Sequence, residues 1–240
     1  MKTMVLFILF IGNVTLTIAQ PHKKEIRNLQ FGIKAGAVYS KITGLDKVLV
    51  SESYYSGYSF DNPYSWGFTA GVYVNYKFEE SISALYTELS YSRLANLLEY
   101  SDVNDFKYDF TARYEFVTWE LFYRVYVWNG LHFGIGPRIG FNLTPDALFY
   151  KSNGEDIYGP DLREQQDLRD ILKGRSNFSL GVSVGYELAN GLSLDFRYYH
   201  GFSDVIETQV NNHHLIETKN ASRVFQVTLG YALPYNLKFH

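Results

Sequence analysis

Hydrophobic and polar residues alternate one by one through much of the chain after residue 28. In the stretch SWGFTAGVYVNYKF, every second residue from Trp66 to Phe78 is apolar, and most residues between them are small or polar. A period of two places successive side chains on opposite faces of a β-strand. The same period predicts eight strands, at residues 29–39, 66–78, 83–93, 116–128, 131–143, 177–188, 192–199 and 223–233.

The connections between these strands alternate between long and short. The short ones are Glu79–Ser81, Trp128–Gly130 and Ala189–Gly191, and the last two contain Asn-Gly, the sequence that favours tight hairpins. The long ones are Ser40–Ser65, Leu94–Thr111, Thr144–Ser176 and Gly201–Ala221. This alternation predicts an up-and-down arrangement with turns at one end and long loops at the other, as in outer-membrane barrels.

The alternation by itself fits a soluble barrel with an apolar interior as well as a membrane barrel with an apolar exterior. Two observations favour the membrane. The apolar rows carry no charge, and the polar rows are mostly Gly, Ser, Thr and Asn, whereas a surface facing water is richer in Lys and Glu. The rows also cover about 9–13 residues, which matches the reach of a tilted membrane strand.

Aromatic residues within the apolar rows concentrate at the two ends of the predicted strands. The loop end carries Trp66, Phe141, Phe178, Tyr198 and Phe225, and the turn end carries Tyr76, Phe78, Phe133, Tyr186 and Tyr231. Aliphatic residues such as Val72, Val74, Val182 and Val184 lie between them. Two aromatic girdles around an aliphatic band are typical of a protein that meets two lipid interfaces.

We therefore predict an all-β fold, an eight-stranded antiparallel up-and-down transmembrane β-barrel, with its apolar face toward lipid. A charge at Val72 should then block assembly, whereas a charge at Thr69 on the opposite face should be tolerated better. A soluble secreted ligand-binding barrel is the alternative.

The N-terminus has the features of a secretory signal. Lys2 precedes the apolar run Met4–Gly12, and Thr17 and Ala19 supply small residues before cleavage at Gln20. We expect a signal peptide at 1–19 and the barrel domain at 20–240, in the outer membrane of a Gram-negative bacterium. A retained N-terminal anchor is the alternative, although the apolar run is too short to span a bilayer.

The charge and the cysteine content argue against nucleic-acid binding and exclude sites that depend on cysteine. The formal net charge is −3 and no Lys/Arg stripe is present, so we expect no nucleic-acid partner. The absence of cysteine excludes disulfides and zinc sites built on thiolates.

Charged residues occur on the face predicted to point into the lumen. They are Lys34, Glu88, Glu120, Arg124, Arg138, Asp195 and Arg197. Both signs are present, so the charges can pair, as burial requires. We interpret them as a structural network that fills the lumen, with a narrow ion path or gate as the alternative, because eight strands leave no porin-sized channel.

Histidines are scattered along the chain and do not form a catalytic pattern. His132 has lumenal parity, His200 lies near Ser203 at the loop end without an evident acid, and the adjacent pair His213 and His214 supplies too few ligands for a metal. We expect no catalytic residue, metal or cofactor, with a lipid-modifying barrel enzyme as the alternative.

The third long connection contains a segment with helical features, GPDLREQQDLRDILKG. Pro160 suits a first helical turn, Leu168, Ile171 and Leu172 share a face, and Gly174 can end the helix. The segment is predicted to be a short helix packed on the barrel rim.

Several segments resemble the small outer-membrane β-barrel family of Bacteroidota, often called PorT-like or porin-family. They are LHFGIGPRIGF, SNFSLGVSVGYEL, LSLDFRYYHGFSDV, SRVFQVTLGYAL and the third-strand pattern LYTELSYSR. The resemblance implies an outer-membrane barrel. The family includes a protein needed for type IX secretion, a role that we do not transfer to this chain.

The expected partners are outer-membrane lipid and, through the loops, envelope or secretion proteins, and we expect a monomer. The tail departs from the usual pattern of an aromatic last residue, since His240 follows Phe239.

Overall fold

The computed structural model describes residues 29–44, 59–79, 81–101, 107–152, 166, 172–207 and 219–234. The strands in these ranges are β1 (Leu29–Thr43), β2 (Ser59–Asp61), β3 (Ser65–Lys77), β4 (Ser83–Ser101), β5 (Lys107–Trp128), β6 (Leu131–Asn142), β7 (Leu148–Ser152), β8 (Lys173–Gly174), β9 (Asn177–Glu187), β10 (Leu192–Gly201), β11 (Ile206–Glu207) and β12 (Ala221–Ala232). The predicted signal peptide, most of the predicted helix, the pair His213 and His214, and the C-terminal Phe239 and His240 lie outside the described residues.

Eight strands close into one antiparallel barrel, which confirms the predicted fold class. Their order around the ring is β1-β3-β4-β5-β6-β9-β10-β12, and β12 pairs again with β1. Ala35 at the seam lies opposite Ala70 of β3 on one side and Leu229 of β12 on the other. Because the ring is closed, the barrel strands leave no open edge, and their backbone groups are satisfied between strands even in lipid.

The short turns form as the Asn-Gly pairs predict. Asn129 and Gly130 have φ values of 32° and 97°, the pair of positive values that a type I′ hairpin needs. In the turn between β9 and β10, Gly191 has a φ of 92°, and the Asn190 side chain accepts a hydrogen bond from the Leu192 amide.

The apolar rows cover the outside of the barrel. Val72 of β3 is 56% exposed, whereas Thr69 on the other face is 1% exposed. Trp119 also points outward, and its indole N–H donates to Thr87 Oγ1 at 3.0 Å, so its polar atom is satisfied without water. Among the described residues, no helix is both long and apolar enough to cross a membrane.

The prediction of a long loop at Leu94–Thr111 is wrong. β4 has 19 residues and β5 has 22, against 12 in β6, and the two pair from Ser83 and Val125 to Ser101 and Lys107. A tilted strand crosses the membrane with about 9–11 residues, so both strands extend well beyond it.

In this extension the apolar side chains lie on the inward face, opposite to their position in the membrane part of the strands. Leu94, Leu98 and Phe110 are buried on the inward face, whereas Glu99 and Arg113 are exposed. Above the membrane the outer face meets water rather than lipid, so apolar side chains move inward. β2 pairs with β4 at Glu99–Ser101, and β7 pairs with β5 at Tyr108–Ala112. We call this four-stranded unit, β2, β7 and residues 94–101 and 107–116 of β4 and β5, the outer sheet.

Parts of the other long connections fold over the barrel mouth. Lys173–Gly174, the predicted end of the helix, is instead strand β8, which pairs with β11. The Gly174 amide donates to Pro145 O at 2.8 Å, and the neighbouring Leu172 is buried. A backbone held by strand pairing on one side and a loop carbonyl on the other has no amide free for a helical turn.

Asn220 holds the mouth segments together. Its Oδ1 accepts hydrogen bonds from the amides of Val205 and Ile206, both at 2.8 Å, and its Nδ2 donates to Ile206 O at 2.8 Å. Val205 and Ile206 are almost completely buried. One side chain therefore satisfies three backbone groups that would otherwise be buried without partners.

Replacing Asn220 with alanine should loosen the mouth without unfolding the barrel. Two buried amides would lose their acceptor, which lowers the free energy of local opening by about 1–3 kcal/mol. Hydrogen exchange measures this as faster exchange at Val205 and Ile206, while amides of β9 and β12 stay protected. Unchanged exchange at both residues would show that other contacts hold the segment.

Candidate functional site

Arg197 is the centre of a charged network inside the barrel. Its Nη1 donates to Glu88 Oε2 at 2.8 Å and to Glu120 Oε2, and its Nη2 lies 3.8 Å from Asp195 Oδ1. These four side chains are 0–3% exposed. Buried charges are stable only when paired, so one guanidinium serves three carboxylates.

The remaining charged residues join the same network. Lys34 Nζ lies 2.8 Å from Glu88 Oε2, Arg124 Nη2 lies 2.9 Å from Asp195 Oδ1, and Arg138 Nε lies 3.4 Å from Glu120 Oε1. The structure thus brings together all seven residues on which the sequence analysis focused. We call Lys34, Glu88, Glu120, Arg124, Arg138, Asp195 and Arg197 the lumenal charge layer.

Tyrosines complete the charge layer. Tyr86 and Tyr199 donate to Glu88 Oε2 and Glu120 Oε2, each at 2.7 Å. The Arg124 guanidinium lies 3.5 Å from the centre of the Tyr86 ring, and that of Arg138 lies 4.6 Å from the Tyr199 ring. Aromatic faces attract cations most strongly where water is excluded, so the rings stabilise an interior with four cations and three carboxylates.

Glycines of the inward rows make room for these large side chains. A Cβ at Gly181 would lie 2.7 Å from both Phe122 and Tyr199. At Gly185 it would lie 2.6 Å from His132 Nε2. The polar rows are therefore rich in small residues because the interior of an eight-stranded barrel is filled by side chains from the opposite wall.

A second polar cluster closes the turn end and was not predicted from the sequence. Glu187 accepts from Lys77 Nζ at 3.0 Å, from Gln30 Nε2 at 3.1 Å and from the Tyr126 hydroxyl at 3.3 Å. Asn75 donates to the Tyr126 hydroxyl at 2.9 Å. The signal was available, because all five residues have the lumenal parity that identified the charge layer.

The space between the two polar clusters is small. The cavity there has a volume of about 10 Å³ and is lined by residues of both clusters, including Gln30, Lys34, Arg124 and Glu187. That volume holds about one water molecule. This cavity is too small for a hydrated ion.

Apolar side chains fill the lumen on the loop side of the charge layer. Val38, Phe116, Val224 and the mouth residue Ile206 are 0–2% exposed and belong to one packed cluster. Tyr114 in the same cluster lies above the membrane span, and burial raises the pKa of its hydroxyl. The lumen is thus closed by a polar cluster, a charge layer and an apolar layer in succession.

The histidines with candidate chemistry have structural contacts. His132 lies between Gly130 O, at 3.2 Å from Nδ1, and Asp195 Oδ1, at 3.1 Å from Nε2, and is completely buried. The His200 ring packs on Phe202 with centroids 5.0 Å apart, while Ser203 Oγ accepts a hydrogen bond from the Phe178 amide. Within the described ranges, no group of three or more His, Asp or Glu residues could hold a metal ion.

The chain was compared with solved structures, curated sequences and family models. Similar solved structures include Neisserial surface protein A (14% identity, 85% of this chain and 97% of that chain, TM-score 0.39), OprG from Pseudomonas aeruginosa (13%, 85% and 94%, TM-score 0.40) and the outer membrane enzyme PagL (12%, 84% and 99%, TM-score 0.29). No curated protein sequence matches the chain. The model of one family, the outer membrane protein beta-barrel domain, matches residues 18–207. The chain therefore belongs to this family, and its location is the outer membrane.

Proposed function

We propose that the protein is a non-enzymatic barrel that acts through its outer face, with the outer sheet as a docking platform for extracellular or envelope molecules. One observation carries this proposal. The lumen is filled by the polar cluster, the charge layer and the apolar layer, whereas β4 and β5 extend well beyond the membrane. The excess of β5 over β6 is roughly 30 Å of strand at about 3.3 Å per residue. Neither transport nor anchoring needs such an extension.

The outer sheet has the properties of a rigid platform. Leu98 and Phe110 pack inward, and the Asn96 side chain accepts a hydrogen bond from the Ile42 amide at 2.6 Å. A binding surface that is ordered before it meets a partner loses less conformational entropy on association. The opposite face carries Glu99, Asp109 and Arg113, charges of both signs that suit a polar partner.

The resemblance to the PorT-like barrels of Bacteroidota supports an accessory role at the cell envelope, with secretion proteins among the candidate partners. We further propose a monomer, since the ring of eight membrane strands is closed and leaves no open edge within the membrane through which copies could pair.

A shortened hairpin tests this function in cells. Replacing residues 97–111 with Asn-Gly joins Asn96 to Ala112, which already face each other across the hairpin. We expect this variant to assemble, as measured by heat-dependent gel mobility of outer-membrane fractions. In a survey of secreted proteins and surface phenotypes it should behave like a deletion of the gene.

The matched control replaces only residues 102–106 with Asn-Gly, which keeps Ser101 opposite Lys107 and preserves the outer sheet. This control should behave like the wild type. Full activity of the shortened hairpin would contradict the docking proposal. Lipid A from the same strains tests the enzyme alternative, and a change of acyl chains upon deletion would contradict the non-enzymatic assignment.

A further inference from the structure

Four cations project from the outer wall of the barrel at the loop end. Lys41, Arg93 and Arg223 each lie two residues beyond an outward aromatic residue on the same strand, namely Tyr39, Tyr91 and Phe225. Residues two apart on a strand share a face, so the cations lie directly above the aromatic girdle. The fourth, Arg113, lies opposite Ala95, two residues beyond Arg93.

Two of the cations belong to a stacked aromatic cluster on β12, β1 and β3. Lys41 lies opposite Arg223 in the sheet, and its Nζ lies 4.9 Å from the centre of the Tyr64 ring. The Tyr39 ring stacks on Tyr64, with centroids 4.9 Å apart, and contacts Trp66 in a tilted arrangement with centroids 4.7 Å apart. Arg223 Nη1 is buried without a hydrogen-bond partner in the described structure. One nitrogen of its guanidinium therefore lacks an acceptor within the described residues.

The other two cations line a groove beside the same tryptophan. The groove has a volume of about 540 Å³ and is lined by Trp66, Phe68, Leu97, Arg93 and Arg113. Its apolar part lies at the level of the aromatic girdle, and the two guanidinium groups lie on its loop side. This is the arrangement that an amphiphile with an anionic headgroup would fill.

One acid, Glu115, lies opposite Arg93 in the sheet. Within the described residues, no carboxylate lies within salt-bridge distance of Lys41, Arg93, Arg113 or Arg223. Their positive charge is available to a ligand.

The turn end lacks such cations. There the only lysine or arginine of the described residues beyond the charge layer is Lys77, which points inward and pairs with Glu187 at 3.0 Å. Short turns face the periplasm and long loops face the exterior in this class of barrel. The positive charge on the outer wall is therefore confined to the external leaflet.

We propose that Lys41 with Arg223, and Arg93 with Arg113, bind the phosphate groups of the phosphorylated glycolipid of the external leaflet, with Trp66 between the two sites. The phosphates meet the cations, and the acyl chains continue down the aliphatic band below. The inference goes beyond the docking function, because it assigns a lipid ligand to the cations just above the aromatic girdle, one of which, Arg113, also belongs to the outer sheet.

Native mass spectrometry of the full-length protein in zwitterionic detergent tests this inference. The probes are diphosphoryl lipid A, monophosphoryl lipid A and inorganic phosphate. We expect the double variants K41Q/R223Q and R93Q/R113Q each to weaken binding of diphosphoryl lipid A by roughly 30-fold, since each basic residue at an anionic surface contributes a factor of about five and each variant removes two. Monophosphoryl lipid A should bind less tightly to the wild type and lose less in the variants.

The control is K173Q, which removes one exposed lysine at the mouth rather than on the outer wall. It should bind lipid A like the wild type, and all variants should show the wild-type heat-dependent gel mobility. Equal binding by the wild type and both double variants would overturn the inference, as would an equal loss in K173Q. Displacement of lipid A by millimolar inorganic phosphate would indicate a free-phosphate site and would overturn the assignment to a lipid.

Discussion

Replacing Arg197 with methionine should lower the free energy of unfolding by about 3–5 kcal/mol, the range expected when one partner of a buried ion pair is removed. Methionine preserves much of the side-chain volume but removes the guanidinium that contacts Glu88, Glu120 and Asp195. Glu120 would keep the Tyr199 hydroxyl at 2.7 Å and a longer contact with Arg138 at 3.4 Å. Urea titration in lipid vesicles, followed by heat-dependent gel mobility, measures the loss.

Two further variants identify the cause of that loss. R113M makes the same chemical change on the exposed outer sheet and should change the stability by less than about 1 kcal/mol. R197M/E120Q removes the carboxylate whose remaining cation is the most distant, Arg138 at 3.4 Å, and should recover part of the loss because no weakly compensated charge is left beside Tyr199. Equal stability of R197M and the wild type would mean that the network does not hold the barrel together.

The sequence predicts the membership of this network better than its geometry. Parity alone places Glu88 and Arg197 inside, because a period of two leaves each side chain only two faces. Their contact at 2.8 Å joins residues 109 positions apart, and it depends on the stagger of every strand between them around the ring. No local pattern encodes that stagger, so the partners could not be assigned in advance.

The missed outer sheet has a different physical origin. In residues 94–101 and 107–116, buried and more exposed side chains alternate, with Leu98 and Phe110 buried and Glu99 and Arg113 exposed. Leu98 and Phe110 point inward, opposite to the apolar side chains in the membrane part of the same strands. The pattern of outward apolar side chains ends where the surroundings change from lipid to water. The strand continues beyond that point, but the pattern no longer identifies it.

The barrel mouth shows a third reason why sequence-based prediction fails. Gly174 was predicted to end a helix, but its amide bonds Pro145 O and its strand partner is Ile206. Local helix signals in this segment compete with contacts to two other loops. Only the folded mouth decides between them.

Replacing Val72 with arginine should cost about 2–4 kcal/mol of folding free energy and strongly reduce assembly in the outer membrane. Val72 is 56% exposed on the outer wall, and its strand neighbours on the same face, Ile33 and Leu89, are similarly exposed at 52% each. A charge there must leave water for hydrocarbon without a partner. The amount of folded barrel in outer-membrane fractions measures the effect, with V72L as the apolar control that should assemble normally.

The structure also shows which inward-facing residue is suited to a charge substitution that can be compared with one on the lipid face. Thr69 is a poor site for a charge, because its hydroxyl bonds Ser92 Oγ at 2.9 Å and the side chain is 1% exposed in a filled interior.

Gln226 is better suited, since it lies inside the barrel opposite Arg197 in the sheet, and both of its amide atoms are buried without partners among the described residues. Q226E preserves the shape and adds a negative charge beside a layer with one excess cation. It should assemble like the wild type, whereas V227E, the next residue but on the lipid face, should assemble poorly. Similar yields of Q226E and V227E would mean that the two faces meet the same solvent, which the inside-out barrel does not allow.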